Sequence, residues 1–226
     1  MTNFFITGTD TEVGKTWLTV SLMTALKKRG HKVMGMKPFA TGAKMTKKGL
    51  INEDAKLIIK HCSKTTSYEL VNPFVCNLAA APTIAAEKEK VAVDLDRIIK
   101  NYNALTSISD VLIMEGIGGW RVPITSKYHV SELVKRLNLP VILVVGVRLG
   151  CINHAILTAE SICSDGLKLA GWVSNHLDRV YSHGEETVKA IKTRLNCPHI
   201  ADFSYCSDFD PDKLAAQIDP AFISKI

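Results

Sequence analysis

Short apolar runs alternate along this chain with longer amphipathic stretches. The runs are rich in Val, Ile and Leu without polar alternation, which is typical of strands covered on both faces in a parallel sheet. We predict strands at 3–7, 32–37, 110–114, 140–147 and 168–174, with a weaker strand at 198–203. We predict helices at 15–29, 52–62, 94–105, 129–137, 152–164 and 182–195. This order indicates an α/β fold, a doubly wound and mainly parallel sheet with helices on both faces.

The ends of these elements carry further information. Gly30, Asn138 and Gly166 stand where three predicted helices stop, as expected for residues that accept a left-handed backbone. The stretch 38–51 mixes Pro, Gly and Lys, and we predict a surface loop there. No repeat or linker divides the sequence, so residues 1–226 are expected to form a single domain. Ligands of such sheets bind at the carboxyl ends of the strands, where the motifs below should therefore fall.

Composition and charge narrow the class of protein. The chain has 226 residues, 46% of them hydrophobic, which is enough for one core. The sequence contains no leader-like or membrane-spanning apolar run, so we expect a soluble, cytoplasmic protein with no membrane partner. The six cysteines form no C-x-x-C pair and the seven histidines no H-x-H spacing, so any metal should have oxygen ligands. The net charge of +6 could suit nucleic acid, but the lysines are spread out, and we favour a solvated surface that attracts small polyanions.

The segment GTDTEVGKT (8–16) follows the first predicted strand and opens the first helix. That is the context of a phosphate-binding loop, in which main-chain N–H groups converge on the anion. Lys15 would add a positive charge and Thr16 a hydroxyl for Mg²⁺. A glycine-rich turn that only caps a helix would not explain this Gly-Lys-Thr triplet. The motif therefore predicts nucleotide binding on a fold of the P-loop nucleoside triphosphate hydrolase type.

The loop is a variant, because five residues instead of four separate Gly8 from Gly14. Switch and partitioning ATPases of the related class place a second lysine five residues before the loop lysine. That position is Asp10 in this chain, a residue of opposite charge, which argues against a switch. Asp10 and Glu12 are unexpected in this loop, because two carboxylates should repel the phosphate that the loop holds. Their role therefore needs an explanation.

Two more predicted strands end in polar residues. Lys37 follows the second strand in MKPFATG, and it is either a surface charge or, as we favour, a contact to phosphate or to the transition state. Thr41 offers a hydroxyl in the adjoining loop. Glu115 ends the third strand in MEGIGGW, where no helix cap explains it, and it suits a Mg²⁺ ligand. Asp54, in NEDA, is either a first-turn partner of a helix dipole or a further Mg²⁺ ligand.

Two motifs in the second half of the chain can each be interpreted in two ways, as a structural feature or as part of a binding site. The segment from Gly150 to Asn153 opens a helix, and it is either an ordinary helix start or an anion site suited to a carboxylate. Asn175 ends the fifth strand in WVSN, and its amide either caps a turn or pairs with the edge of a purine.

Taken together, the motifs TGTDTEVGKT, KP-ATG, NEDA, EGIGGW, PVILVVGVRLGCINHA and GWVSN resemble the dethiobiotin synthetase family. The resemblance covers about residue 3 to residue 178, with all six motifs in order, and is weaker after that range. It implies that ATP and CO2 convert 7,8-diaminononanoate to dethiobiotin in biotin biosynthesis. One amine becomes a carbamate, MgATP phosphorylates the carbamate, and the other amine closes the ureido ring and expels phosphate. No protein nucleophile is needed.

The resemblance implies a role for each matching residue. The catalytic contacts would be Lys15, Lys37 and Thr11. ATP would be bound by Gly8, Glu12, Val13, Gly14, Lys15, Thr16, Trp17, Asp54, Glu115, Gly116, Ile117, Gly118, Asn175, His176, Ser204 and Tyr205. The amine substrate would be bound by Thr11, Lys37, Thr41, Gly150, Cys151, Ile152 and Asn153, the last four from the neighbouring subunit of a homodimer. Mg²⁺ would be bound by Thr16, Asp54 and Glu115.

The sequence departs from the family late in the chain. Ser204 and Tyr205 stand where the family often has a Pro and an aromatic residue around the base, and Thr187 stands near a position that is usually aromatic. The family reaction also suggests two readings of Asp10 and Glu12. At least one of them attracts the cationic diamine or accepts its proton, or both hydrogen-bond within the loop and stiffen it.

Three rival functions remain at this stage. A dimeric ATP-driven switch would hydrolyse ATP under the control of a protein or DNA partner, and Asp10 counts against it. Another ligase or amidotransferase on the same scaffold would usually carry a glutaminase domain, for which we expect no room in 226 residues. An inactive homologue is disfavoured because Lys15, Lys37, Asp54 and Glu115 are all present.

Overall fold

The computed structural model describes residues 3–226. Its strands are β1 (Phe4–Gly8), β2 (Val33–Met36), β3 (Phe39–Ala40), β4 (Lys44–Thr46), β5 (Gly49–Ile51), β6 (Phe74–Val75), β7 (Val111–Glu115), β8 (Val141–Val147), β9 (Leu169–His176) and β10 (His199–Phe203). Its helices are α1 (Lys15–Lys28), α2 (Glu53–His61), α3 (Tyr68–Val71), α4 (Pro82–Glu89), α5 (Leu95–Thr106), α6 (Val130–Leu137), α7 (Cys151–Ser164), α8 (Gly184–Lys192), α9 (Pro211–Ala215) and α10 (Pro220–Ile223).

Six strands form one sheet in the order β10-β9-β8-β1-β7-β2, and every neighbouring pair is parallel. These are the six strands predicted from the apolar runs, and the six predicted helices also form at the expected places. The predicted α/β class with a mainly parallel, doubly wound sheet is therefore confirmed. No helix within residues 3–226 is both long and apolar enough to cross a membrane.

The two faces of the sheet bury different side chains, as β8 shows. Leu143 and Val145 pack with the apolar face of α7 and α8, while Ile142 and Val144 join the larger core on the other face. Alternation of this kind follows from the two-residue repeat of a strand. Both sets are fully buried, which explains why the sequence of β8 is apolar throughout.

The stretch 38–51 corrects one prediction. Instead of one surface loop, it contains the buried strand β3, which pairs with β6, and the exposed hairpin β4–β5. Two-residue and three-residue strands are too short to show a period, and the Gly and Lys residues of the hairpin turn dominate the local signal. The helices α3 and α4, which flank β6, were not predicted either.

The predicted stops at the ends of α1, α6 and α7 are confirmed. Gly30, Asn138 and Gly166 have φ values of 89°, 48° and 76°, in the left-handed region that ends a helix. Each of these helices therefore returns its chain to the start of the next strand within a few residues. Because all neighbouring strands are parallel, their carboxyl ends lie together at one edge of the sheet.

The close packing of α1 and α2 on β2 gives a test of this fold. A Cβ atom added at Gly35 would overlap the Ile58 methyl group and lie 3.0 Å from the Met23 sulfur. We expect Gly35→Ala to lower the free energy of unfolding by about 1–3 kcal/mol, the usual cost of overpacking, as measured by urea denaturation. In an Ile58→Ala background, where the methyl group is gone, the same change should cost less. An equal cost in both backgrounds would contradict this packing.

Candidate functional site

A cleft of about 910 Å³ lies at the carboxyl ends of the strands. This volume is within the usual range of small-molecule sites. Of the residues proposed from the sequence, the cleft is lined by Thr11, Glu12, Gly14, Lys15, Thr16, Trp17, Lys37, Thr41, Asp54, Glu115, Ile117, Gly118, Asn175, His176 and Tyr205. Residues that are far apart in the sequence therefore meet in one place.

The loop between β1 and α1 leaves a helix N-terminus open to the cleft. Gly14 precedes α1 with a φ of 96°, and no side chain among residues 3–226 caps the free N–H groups there. A Cβ atom at Gly14 would overlap the Asn175 amide, whose Nδ2 atom donates to the Val13 carbonyl at 3.0 Å. Uncapped N–H groups at the start of a helix favour an anion. The geometry therefore suits the phosphate role predicted for this loop.

Lys15 is a buried ammonium group in this loop, with only 7% of its surface exposed. Its Nζ atom donates to the Asp10 main-chain carbonyl at 2.8 Å. Burial, and then the charge of Lys37, lower the pKa of Lys15 from 10.5 to about 8. A buried ammonium that lacks a bonded carboxylate is stabilised by an incoming anion, so Lys15 is well placed to bind phosphate.

Lys37 lies in a different environment, bonded to two carboxylates. Its Nζ atom is 2.5 Å from Glu115 Oε1 and 3.1 Å from Asp54 Oδ2. Thr16 donates its hydroxyl to the same Glu115 oxygen at 2.8 Å. Burial alone would lower the pKa of Lys37, but Glu115 and then Asp54 raise it above its ordinary value. Lys37 is therefore a fully charged centre that joins the ends of β2 and β7.

The same cluster fits a divalent cation. Glu115 is completely buried, and its Oε2 atom has no hydrogen-bond partner among the described residues. A buried carboxylate oxygen without a partner is costly, which is typical of a position that serves a further ligand. Residues 3–226 contain no group of three or more His, Cys, Asp or Glu side chains placed to hold a metal ion by themselves. Thr16, Asp54 and Glu115 instead offer one hydroxyl and two carboxylates, the hard oxygen donors that Mg²⁺ prefers.

Asp10 and Glu12 have different surroundings, although both lie in the same loop. Asp10 accepts a hydrogen bond from the Thr11 N–H at 2.8 Å and forms an ion pair with Arg148. Glu12 lines the cleft, with a φ of 58° that is uncommon for a residue other than glycine. The contacts of Asp10 agree with the hypothesis that this carboxylate hydrogen-bonds within the loop and stiffens it. The position of Glu12 agrees with the hypothesis that a carboxylate of the loop contacts the cationic diamine.

The lining of the cleft also includes aromatic and polar groups. Trp17 packs on Phe209 with ring centroids 5.5 Å apart, and Tyr205 lies under the Arg179 guanidinium at 4.9 Å. His176 Nε2 is 2.9 Å from the Asp202 carboxylate. One N–H of the Asn175 amide is used by the Val13 carbonyl, which leaves the second N–H and the amide oxygen, an acceptor, for another partner. Flat aromatic faces beside an amide acceptor suit a nucleotide base.

Some proposed residues do not line the cleft. Gly8, Val13 and Gly116 form its supporting backbone, and a Cβ atom at Gly116 would lie 2.7 Å from the Phe5 ring. Ser204 is exposed, and its main-chain N–H donates to the Gln217 side chain at 3.2 Å. The structure therefore does not bring Ser204 into the site. Thr187 is buried and contacts the Tyr181 hydroxyl at 3.0 Å.

The start of α7 also lies apart from the cleft, since Gly150, Cys151, Ile152 and Asn153 are not among its lining residues. Gly150 precedes the helix with a φ of 91°, and no side chain of residues 3–226 caps the N–H groups that follow. The features of an anion site are present. Within one chain, however, they do not face the cleft that holds Lys15 and Lys37.

Sequence reasoning missed one wall of the cleft. This wall consists of Ala79, Ala80, Ala81 and Pro82, at the start of α4, and further lining residues that were not predicted are Leu57, Val122, Leu177 and Cys206. Pro82 is the first residue of α4, the position that Pro favours, so the run AAAP was an available signal for a helix start. Small apolar side chains carry no chemistry of their own, so nothing in the sequence connected this wall with the site.

The fold and the cleft define a P-loop nucleotide-binding α/β protein. A family model described as an AAA domain matches residues 2–213. Among solved structures, a ParA family ATPase from Chlorobium tepidum is similar with a TM-score of 0.56 and 12% identity, covering 99% of this chain and 96% of that one. A MinC:MinD cell division protein complex from Aquifex aeolicus gives 0.55 and 16% identity, covering 94% and 86%. At such low identity these two likenesses concern the fold alone.

Curated relatives are much more similar in sequence. A protein from Aromatoleum aromaticum named ATP-dependent dethiobiotin synthetase is 40% identical over 215 residues, which are 95% of this chain and 96% of the relative. A protein of the same name from Pseudomonas paraeruginosa is 42% identical over 220 residues, or 97% and 96%. The chain belongs to the dethiobiotin synthetase family, a family of ATP-dependent ligases, as the six motifs predicted.

The contrast between the two lysines can be measured as stability. The pKa of Lys15 is lower in the folded chain than in the unfolded chain, so the unfolded chain binds more protons between pH 8 and 10.5. The cost of burying this charge is therefore greatest below pH 8 and is lost as the pH rises. We expect Lys15→Met to raise the free energy of unfolding at pH 7 by on the order of 1–3 kcal/mol, and by less at pH 10.

Lys37→Met is the matched control for this measurement. It should destabilise the protein at pH 7 by about 3–5 kcal/mol, because it leaves Glu115 buried without its cation. Urea denaturation of both variants at pH 7 and pH 10 makes the comparison. A loss of stability with Lys15→Met at pH 7 would show that its charge is compensated in a way these contacts do not explain.

Proposed function

We propose that this protein is a cyclo-ligase that makes dethiobiotin from 7,8-diaminononanoate, CO2 and ATP, releasing ADP and phosphate. The observation that carries the proposal is the meeting of Lys15, Lys37 and the carboxylate of Glu115 in one cleft beside an uncapped helix N-terminus. Family membership supplies the reaction class. Within residues 3–226, these groups are arranged for charge stabilisation and positioning of the kind that phosphoryl transfer needs.

The reaction has three steps, and none requires a covalent bond to the protein. One substrate amine attacks CO2 and loses a proton, which gives a carbamate. A carbamate oxygen then attacks the γ-phosphorus of ATP, so that ADP leaves and a carbamic-phosphoric anhydride forms. The second amine attacks the anhydride carbon, loses a proton and expels phosphate as the ring closes. Each step forms or moves negative charge on oxygen, which fixed ammonium and N–H groups stabilise.

The two lysines would divide this work. Lys15, whose ammonium lies in the phosphate loop, would bind the β- and γ-phosphates. Lys37, at the end of β2, would stabilise the carbamate and the transferring phosphoryl group from the opposite side. Thr11 and Thr41 line the same cleft and would hold the carbamate and amine by their hydroxyls. The main-chain carbonyl of Thr41 accepts a hydrogen bond from Asn52 at 3.2 Å, which supports the position of this residue.

Thr16, Asp54 and Glu115 would hold Mg²⁺, which neutralises charge on the phosphates when it is bound. Their present contacts support this assignment, because one ammonium group, that of Lys37, already touches both carboxylates. The partnerless oxygen of Glu115 provides a further donor.

The other parts of the two substrates would bind at the ends of the cleft. The ATP base would lie between Trp17 and Tyr205, with the Asn175 amide oxygen and His176 at its edge. The alanine wall at 79–81 would contact the aliphatic chain of the amine substrate. The start of α7, from Gly150 to Asn153, would receive the substrate carboxylate of a neighbouring subunit in a homodimer. Its position outside the cleft of its own chain supports that arrangement over binding within one subunit.

The proposed reaction is tested by product analysis. Phosphate release from MgATP should depend on 7,8-diaminononanoate and bicarbonate, and mass spectrometry should detect the cyclic urea. Lys37→Met should reduce this release by about 100-fold or more, because it removes a charge that acts in the transition state. Lys47→Met, on the exposed β4–β5 hairpin, is the matched control and should keep full activity. ATP hydrolysis that does not respond to the diamine would instead favour an ATP-driven switch.

The role of Glu12 is tested separately. If its carboxylate attracts the diamine or accepts its proton, Glu12→Gln should raise the KM for the diamine by about tenfold and leave the affinity for ATP near that of wild type. Steady-state kinetics with each substrate varied in turn give the two values. The opposite pattern, in which ATP affinity falls and the diamine KM does not change, would make Glu12 a loop-stiffening residue only.

A further inference from the structure

The ion pair between Asp10 and Arg148 joins two loops at the edge of the sheet. Asp10 follows β1 and Arg148 follows β8, and these strands are parallel neighbours in which Gly8 pairs with Val144. Arg148 Nη2 contacts Asp10 Oδ2, while the other oxygen of Asp10 accepts the Thr11 N–H at 2.8 Å. Both oxygens of the carboxylate are thus engaged, and Asp10 is not among the residues that line the cleft.

Asp10 is ionised at neutral pH. The Thr11 N–H above all holds the pKa of Asp10 below its ordinary value, and the Arg148 guanidinium adds to this lowering, while burial of the carboxylate acts in the opposite direction. A permanent negative charge therefore lies in the loop that opens α1. The main-chain carbonyl of this same residue holds the Lys15 ammonium at 2.8 Å. Uncompensated, such a charge would repel a polyphosphate bound at Lys15.

We propose that Arg148 is a positioning residue that turns the Asp10 carboxylate away from the phosphate path and cancels its charge, so that the loop can bind a triphosphate. This inference rests on the proposed role of residues 8–16 as the triphosphate site. Arg148 acts through Asp10 and not by its own contact with the nucleotide. It is not among the residues that line the cleft.

The backbone around Arg148 is well placed for this role. Its carbonyl accepts the Cys151 N–H at 3.1 Å, so the residue is tied to the first turn of α7. The loop that it contacts contains Glu12 with a φ of 58°, a conformation that persists only when neighbouring contacts support it. The pair therefore ties a strained loop to a helix of 14 residues.

A purely mechanical clamp would behave differently from a charge-cancelling pair. If Arg148 only held the loop in shape, removing both partners would be as harmful as removing Arg148 alone. If it cancels charge, the harm arises from the unpaired carboxylate, and Asp10→Asn should relieve it. Asn keeps an oxygen for the Thr11 N–H and lacks the charge, so the two mechanisms can be separated by one double variant.

The test is calorimetric titration of a non-hydrolysable ATP analogue and of ADP into wild type, Arg148→Met, Asp10→Asn and the double variant, all with Mg²⁺. We expect Arg148→Met to weaken binding of the ATP analogue about five- to tenfold, and of ADP less, since ADP carries less charge. The double variant should bind the analogue within roughly twofold of wild type. Arg148→Lys, which keeps the charge, should also restore binding, and the Arg148→Met defect should shrink at high salt.

Arg136→Met is the matched control, because Arg136 forms an exposed ion pair with Asp96 on α5 and does not line the cleft. It should bind the analogue like wild type. Wild-type affinity in Arg148→Met would overturn the inference and leave the proposed function intact. A double variant no better than Arg148→Met would reduce the pair to a mechanical clamp and overturn it as well. Failure of the wild-type protein itself to bind the analogue would instead overturn the assignment of residues 8–16, and the inference with it.

Discussion

The buried contact between Lys37 and Glu115 is the interaction on which the site depends. Neither charge could stay ionised alone at that depth, because desolvation costs several kcal/mol per ion and only a partner at hydrogen-bond distance offsets it. The contact joins the end of β2 to the end of β7, and Thr16 and Asp54 complete it from α1 and α2. Buried ion pairs rarely make a protein more stable than apolar residues of similar size would. A functional role therefore explains this pair better than a contribution to the free energy of unfolding does. The second oxygen of Glu115, which has no partner among the described residues, also favours a functional role.

The two lysines of the cleft show that environment, and not residue type, decides what an ammonium group can do. Lys37 is compensated by two carboxylates, and its pKa is raised. Lys15 has a carbonyl as its hydrogen-bond partner, and burial followed by the charge of Lys37 lowers its pKa to about 8. A phosphate group entering the loop would therefore gain most from Lys15, since that charge is the one still lacking a bonded anion. Lys37 is held in place by Glu115 and Asp54, so its charge is already compensated by two carboxylates.

The sequence alone was sufficient to predict those strands and helices that are specified by residues close to one another in the chain. Strands such as β8 are apolar throughout because both faces are buried, and the starts and stops of the long helices are marked by Gly and Asn. Glu115 could be recognised because a carboxylate after a buried strand has no local explanation. The two-residue strands β3 and β6 left no such signal, since their pairing depends on residues 35 positions apart. The alanine wall and the Asp10–Arg148 pair, 138 positions apart, likewise become visible only when the fold brings their parts together.

Asp10 shows why a likeness in fold does not by itself define the chemistry of a loop. The solved structures of similar fold include a ParA family ATPase at 12% identity, a likeness that concerns the fold alone, and the phosphate loop of this chain carries a carboxylate at position 10. A negative charge in such a loop acts at short range on a bound anion, so another part of the chain must compensate it. The compensating group comes from within the same chain, from Arg148 after the neighbouring strand. Because Asp10 and Arg148 lie 138 positions apart in the sequence, this compensation depends on the parallel pairing of β1 with β8, which brings the two loops together.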